Sequence, residues 1–100
     1  MEKERAYRVE KKVLVELVRK IVKEVEGVYS IKKGMLGGGI RIKQPPEGVE
    51  IWLGLIIKRG VSIPAVVEEV QSKLKKEIEA TLGISVKKIG IVIKKIKFSH

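Results

Sequence analysis

The chain has 100 residues, and its 44% hydrophobic share is typical of a single folded domain rather than of a disordered chain. It contains no cysteine, which excludes disulfides and thiolate chemistry, and its formal net charge is +10. No apolar run approaches the roughly 20 residues that a bilayer-spanning helix needs, and the charged N-terminus does not resemble a signal peptide, so we expect a cytoplasmic protein.

The first predicted element is an amphipathic helix that begins at Lys11. Charged residues fill one side of it, and a helically spaced apolar stripe fills the other. The stripe consists of Val13, Leu14, Leu17, Val18, Ile21, Val22 and Val25. Gly27 is expected to end the helix, because glycine readily adopts the left-handed conformation that follows a helix. Residues 1–6 and 99–100 are expected to be disordered.

Three strand candidates follow the first helix. Val28–Lys33 is short, Ile40–Lys43 alternates apolar and basic residues, and Val49–Lys58 is the strongest because aliphatic side chains occupy every second position. The glycine-rich segment 34–39 is expected to be a flexible hairpin connection. The segment 44–48, QPPEG, is a predicted turn, since its prolines cannot donate to a β-ladder.

The longest predicted element is a second amphipathic helix between Gly60 and Gly83. Ser62 is suited to cap its first turn and Gly83 to end it. Its apolar stripe consists of Val66, Val67, Val70, Leu74, Ile78 and Leu82. A last strand over Val86–Phe98 closes the chain, and its alternation breaks at Lys94–Lys95 in the manner of a β-bulge.

The order of these elements, α-β-β-β-α-β, predicts an α+β fold formed by residues 1–100 as one domain. We expect a two-layer sandwich in which both amphipathic helices pack on one face of a three- to four-stranded mixed sheet. The unit from Val49 through the long helix to Val86 should be a right-handed crossover between parallel strands. The order of the strands in the sheet stays open.

Short segments between Arg8 and Phe98 carry a family resemblance. They are VEGV at 25–28, GIRI at 39–42, GVSIP at 60–64, VVEEVQ at 66–71, TLGI at 81–84 and VKKIGIVI at 86–93. In order and spacing these segments resemble the alkaline shock protein family, whose members are small bacterial general-stress and cell-envelope proteins. The resemblance implies a non-catalytic, stress-linked protein of cell-envelope homeostasis. It would act as a scaffold or adaptor, by self-association or by docking to a membrane-anchored partner at the inner membrane surface.

The residues themselves offer little for catalysis. The only histidine is the last residue, His100, and the chain has no Asp, so we expect no enzyme activity, no cofactor and no metal site. Gly34–Gly37 has the G-x-x-G spacing of the KH loop that clamps RNA. That loop joins two helices, whereas the flanks here are predicted strands, which favours a flexible connection.

The outward face of the predicted sheet is the candidate interaction surface. If Ile51, Leu53 and Leu55 face the helices, alternation turns Trp52 away from them. The candidate residues are Arg41, Lys43, Trp52, Ile56, Lys58, Lys88, Val92 and Lys94. The face is compatible with an ordinary solvated surface, with a protein interface, or with a single-stranded nucleic acid platform.

We favour the protein interface, made with a second copy of the chain or with a protein partner that places the chain at the membrane. A platform that stacks bases usually presents more than one aromatic side chain, and only 4% of the residues in the whole chain are aromatic. The basic charge also allows non-specific binding of nucleic acid or anionic lipid. A basic KH-like or sheet-face RNA-binding module is therefore the alternative function.

Overall fold

The computed structural model describes residues 7–33 and 39–98. The elements are α1 (Lys11–Lys23), β1 (Val28–Ile31), β2 (Ile40–Lys43), β3 (Val49–Lys58), α2 (Ile63–Leu82) and β4 (Val86–Lys97). The predicted α+β class and the order α-β-β-β-α-β are confirmed. The disorder predicted for 1–6 and 99–100 lies outside the described residues, as do His100 and the G-x-x-G segment at 34–37.

β3 is the central strand, and the other strands pair with it. β4 runs parallel to β3 along its whole length. On the other side, β2 pairs antiparallel with the first half of β3 through Ile40 and Leu53, and β1 pairs antiparallel with the second half through Ile31 and Leu55. The sheet is therefore mixed, and the predicted parallel pairing across α2 is confirmed.

β1 and β2 lie end to end along one side of β3, and they meet opposite Gly54. The Gly54 carbonyl accepts from the Lys32 N–H at 2.8 Å, and the Gly54 N–H donates to the Gly39 carbonyl at 2.9 Å. The prediction of a hairpin connection between the two strands is therefore wrong. β1 and β2 both run antiparallel to β3, so they run in the same direction, whereas a hairpin joins strands of opposite direction. Local sequence cannot distinguish these arrangements, since the pairing strand lies further along the chain.

α1 ends at Lys23, before the predicted end at Gly27. The Glu24 N–H bonds to the Ile21 carbonyl at 3.1 Å, which is the tighter three-residue turn that often closes a helix. Val25 is nevertheless only 2% exposed, so the apolar periodicity continues past the last helical residue. Gly27 then reverses the chain into β1 with a φ of 101°, a region that favours glycine.

α2 has the predicted boundaries at both ends. The Ala65 N–H donates to Ser62 Oγ at 3.4 Å, and Gly83 takes the left-handed conformation with a φ of 69°. The Tyr7 hydroxyl donates to the Leu82 carbonyl at 2.8 Å, which ties the chain before α1 to the last turn of α2. The end of the long helix is thus satisfied by a group from the start of the described chain.

Both helices pack on one face of the sheet around one aliphatic core. α1 contacts β1, β2 and α2, and α2 also contacts β4. The largest fully buried side chains are Leu14, Ile21, Ile51, Leu55, Ile57, Leu74, Ile78, Val18, Val22, Val25 and Val70. Within the described ranges no polar or charged side chain is buried, so apolar burial is the main stabilising term.

Leu74→Ala should therefore lower the free energy of unfolding by about 2–4 kcal/mol, because it empties a fully buried aliphatic site on α2. Lys76→Ala, at an exposed position of the same helix, should change it by less than about 0.5 kcal/mol. Chemical denaturation of the two variants beside the wild type measures both values. Equal, small losses at the two positions would contradict the assignment of the buried face.

Candidate functional site

The face of the sheet that points away from the helices carries the candidate interaction residues, and we call it the outer face. Burial alternates along β3, where Ile51 and Leu53 are buried and Trp52 between them is half-buried. Pairing and alternation place on this face Arg41, Lys43, Glu50, Trp52, Gly54, Ile56, Lys58, Lys88, Gly90, Val92, Lys95 and Lys97, and Lys94 lies on it over Gly54. The candidate residues thus lie together on one side of the sheet, and their role in binding stays a prediction.

Three cations surround the indole of Trp52 at the centre of the outer face. Arg41 Cζ lies 5.2 Å from the ring centroid, Lys88 Nζ lies 5.5 Å away, and Lys43 Nζ lies 5.8 Å away. A cation within about 6 Å of an aromatic face is attracted by the ring quadrupole. Because the cations come from β2 and β4, the indole on β3 links all the strands at this point of the sheet.

Gly90 on β4 provides the space that the indole occupies. A Cβ atom at position 90 would lie only 2.8 Å from Trp52 Cδ1 and 3.2 Å from Trp52 Nε1. A side chain there would displace the ring. Sequence reasoning missed this residue, because its importance depends on the register that places Gly90 beside Trp52 across two parallel strands.

Gly54 is a second small residue on the outer face, and the Lys94 side chain lies over it. A Cβ atom at position 54 would be 3.3 Å from Lys94 Cγ. The predicted bulge at Lys94–Lys95 is confirmed, because the register of β4 shifts between the partners of Leu55 and Ile56. The extra residue of the bulge is the one whose alkyl chain covers the glycine.

The outer face continues past the indole to a second aromatic side chain. Lys97 Nζ lies 5.5 Å from the ring centroid of Tyr29, and Lys97 is the register partner of Lys58. Tyr29 is 50% exposed. Sequence reasoning did not identify Tyr29, since the irregular pairing of β1 with β3 between Val28 and Ser30 obscures the alternation there.

The charge of the outer face is almost entirely positive. Glu50 is the only acid that the described strands place on it, and its Oε2 lies 3.8 Å from Lys87 Nζ. The cations around Trp52 contact a neutral ring rather than a carboxylate. Their positive charge is therefore left uncompensated, and the face attracts anions.

A separate polar cluster closes the first part of the free edge of β4. Glu79 Oε2 accepts from the Val86 N–H at 2.9 Å and from Lys75 Nζ at 3.0 Å, and Lys75 Nζ also donates to the Val86 carbonyl at 3.3 Å. Gln71 Nε2 donates to the Ile89 carbonyl at 3.0 Å. These side chains of α2 satisfy backbone groups that an edge strand would otherwise expose, so the role of the cluster is structural.

The Val86 N–H, and secondly the Lys75 ammonium, lower the pKa of Glu79 below its ordinary value. Both groups favour the charged carboxylate over the neutral acid. Lys75 is therefore part of the structure at the sheet edge, although its side chain is 58% exposed.

Neither metal binding nor membrane crossing has a visible basis in the described residues. No group of three or more His, Cys, Asp or Glu side chains in 7–33 and 39–98 is placed to hold a metal ion. In the same ranges, no helix has the length and apolar character needed to span a bilayer. The flanks of the G-x-x-G segment belong to β1 and β2, as predicted, rather than to two helices.

Gly90→Ala should displace the indole of Trp52 into solvent, because the new methyl group would overlap Trp52 Cδ1. We expect emission at longer wavelength and faster quenching by acrylamide. Gly54→Ala is the matched control, since the atoms nearest to its methyl group would belong to the flexible side chains of Lys94 and Lys32. Unchanged emission in the Gly90 variant would show that the ring does not need this space.

The carboxyl of Glu79 should titrate below the ordinary glutamate pKa of about 4.3 in an NMR pH titration. Lys75→Ala should raise that pKa only partway, because the Val86 N–H is the larger cause. Since the folded pKa is depressed, the charged carboxylate stabilises the fold fully above the ordinary value. That contribution is lost as the pH falls through the folded pKa. The stability difference between wild type and Glu79→Gln should shrink over the same range, and a pH-independent difference would contradict the assignment.

Comparison with known proteins places this fold in a family. The profile of the alkaline shock protein 23 family, which has a cell envelope-related function, matches residues 1–98. The uncharacterized protein YloU of Bacillus subtilis (strain 168) is 24% identical over 70 residues, which cover 70% of this chain. The match spans 58% of the length of YloU.

Solved structures of the C-terminal domain of MamM have a similar fold. A double variant of that domain superposes with a TM-score of 0.68 at 9% sequence identity, over 87% of this chain and 94% of that chain. A manganese form gives a TM-score of 0.66 at 9% identity, over 86% and 99% of the two chains. At such identities the likeness shows the fold alone. The profile match, in contrast, covers nearly the whole sequence, and the chain belongs to the alkaline shock protein 23 family.

Proposed function

We propose that this chain is a non-catalytic, stress-linked protein of cell-envelope homeostasis that acts as a scaffold or adaptor through its outer face. The cell envelope-related function of the family supports the first part. The second part rests on one observation, an indole held among three cations on a sheet face that neither helix covers. An aromatic centre within a polar rim is a common composition for a protein interface.

The outer face can serve a scaffold by self-association or by docking to a membrane-anchored partner. Trp52, Ile56 and Val92 form its apolar part, and Val92 is 54% exposed. If two copies covered each other's outer face, their lysines would approach and repel one another. Salt screens this repulsion, so it weakens as the salt concentration rises. An acidic partner would meet no such repulsion, so the charge favours docking over self-association.

A sheet-face RNA-binding module is the second candidate, supported by the uncompensated positive charge. Nucleic acid platforms stack bases on open aromatic faces. Arg41, Lys43 and Lys88 already lie within 6 Å of the only Trp, and Lys97 lies close to Tyr29. The aromatic rings are thus engaged by cations, which favours the scaffold over base stacking.

Site-specific photocross-linking in the native host tests the scaffold proposal. A photoreactive phenylalanine derivative replaces Val92 on the outer face, and in a matched control it replaces Val13 on α1, which is similarly exposed at 46% against 54%. Position 92 should form covalent adducts either with a second copy of the chain or with a membrane-anchored protein. Position 13 should form few.

The masses of the adducts distinguish self-association from docking. Failure of position 92 to cross-link to any protein would overturn the scaffold role. So would an identical set of adducts from positions 92 and 13, because the contacts would then not depend on the outer face.

A further inference from the structure

We propose that the outer face binds the anionic phospholipid headgroups of a membrane surface directly. The proposal rests on the outer face being the binding surface of the proposed function, but it requires no protein partner. It is carried by the placement of the basic side chains, by their charge balance and by the environment of Trp52.

The placement of the helices leaves the whole outer face open to a large flat object. Both helices pack on the opposite side of the sheet, around the aliphatic core. β3 has 10 residues, which at about 3.3 Å per residue give a length of roughly 33 Å. Cations line this length on β2, β3 and β4. A membrane surface extends in two dimensions, so side chains on all of these strands can reach phosphates at once.

The charge balance fits an anionic lipid surface and opposes a second copy. The basic side chains of the described part of the face and its ends are Lys32, Arg41, Lys43, Lys58, Lys88, Lys94, Lys95 and Lys97. Glu50 is the only acid on the described part of the face. Each basic side chain near an anionic bilayer strengthens binding by about fivefold, so a subset of these residues suffices for stable attachment. Two outer faces brought together would instead repel each other.

Trp52 adds a contact that suits the membrane interface. An indole has an apolar body and a polar N–H, and tryptophan is enriched at the level of the lipid headgroups. In the free protein, Arg41 and Lys88 lie over the ring, at 5.2 and 5.5 Å from its centroid. Lipid phosphates offer these cations a charged partner instead of the ring. The indole is then free to enter the headgroup layer while the cations bind phosphate.

The same environment favours lipid over single-stranded nucleic acid. Either partner would draw the cations from the ring towards phosphate, but successive stacked bases need several open aromatic faces, and only 4% of the chain is aromatic. Lipid binding uses the cations and the indole at the same time, because phosphates and the interfacial layer lie at neighbouring depths. The two partner classes therefore place Trp52 in different environments, stacked on a base or inserted among lipid headgroups.

Sedimentation of the full chain with vesicles tests the proposal. The vesicles contain phosphatidylcholine with one third phosphatidylglycerol, and vesicles of phosphatidylcholine alone are the control. We expect binding to the anionic vesicles at low salt, loss of binding at high salt, and little binding to the neutral vesicles. Because the chain has 1 Trp, its emission reports on position 52, and it should shift to shorter wavelength on binding.

Charge variants show whether the outer face is responsible. Lys88→Glu should weaken binding to the anionic vesicles by about thirtyfold, and Lys88→Gln by about fivefold. Lys76→Glu changes the net charge of the chain by the same amount as Lys88→Glu, but on the exposed side of α2, and should weaken binding by less than about threefold. Thermal melting checks that each variant is folded, and Lys88→Gln replaces Lys88→Glu if the reversal unfolds the protein.

Several outcomes would overturn the proposal. These are no binding to anionic vesicles, equal losses for the Lys88 and Lys76 reversals, or an emission that does not change on binding. A further contrary outcome is binding to poly(U) that is tighter than binding to the anionic vesicles, depends equally on Lys88, and changes the Trp52 emission more. That result would assign the outer face to nucleic acid. Cross-linking that finds no protein, together with vesicle binding that depends on Lys88, would sink the scaffold role and leave lipid binding standing.

Discussion

Pairing of β3 on both sides is the constraint on which the rest of the structure depends. With β4 along one side and β1 and β2 sharing the other, the register of β3 is fixed over its whole length. A slip by one residue would move Ile51 and Leu53 out of the core and turn Trp52 into it, because successive side chains point to opposite faces. The aliphatic core therefore determines which residues form the outer face, and no bound ligand is needed to position them.

Local periodicity was enough to predict most of the elements. The boundaries of α2 follow from Ser62 and Gly83, whose capping chemistry acts within one helical turn. The bulge near Lys94 was visible because a break in alternation is also local. The predicted end of α1 was wrong because Val25 stays buried in a tight turn after the helix. In such a turn, apolar spacing no longer indicates a helix.

The features that sequence reasoning missed depend on contacts between distant segments. The hairpin prediction failed because β1 and β2 each pair with β3, and only the bonds to Gly54 reveal this. Alternation could place Arg41 and Trp52 on one face, since each strand has a period of two residues. It could not show that Gly90 lies under the indole, because that contact depends on the parallel register of strands separated by α2.

The partners of the cations distinguish the two layers of the protein. In the helix layer Lys73 Nζ lies 3.5 Å from Glu24 Oε1, and Lys75 Nζ lies 3.0 Å from Glu79 Oε2, so carboxylates offset these charges. On the outer face Arg41 and Lys88 lie instead over an aromatic ring. A ring attracts a cation through its quadrupole but carries no net charge, so it positions the side chain without neutralising it.

This difference gives the outer face two properties at once. The cations are held in place in the free protein, which lowers the entropy that binding must remove from long side chains. Their charge nevertheless acts on an approaching anion with little internal compensation, because Glu50 is the only acid on the described part of the face. An ion pair at each lysine would have fixed the same geometry but cancelled the attraction. The cation–aromatic arrangement around Trp52 thus explains how the sheet can be ordered and still present a basic surface.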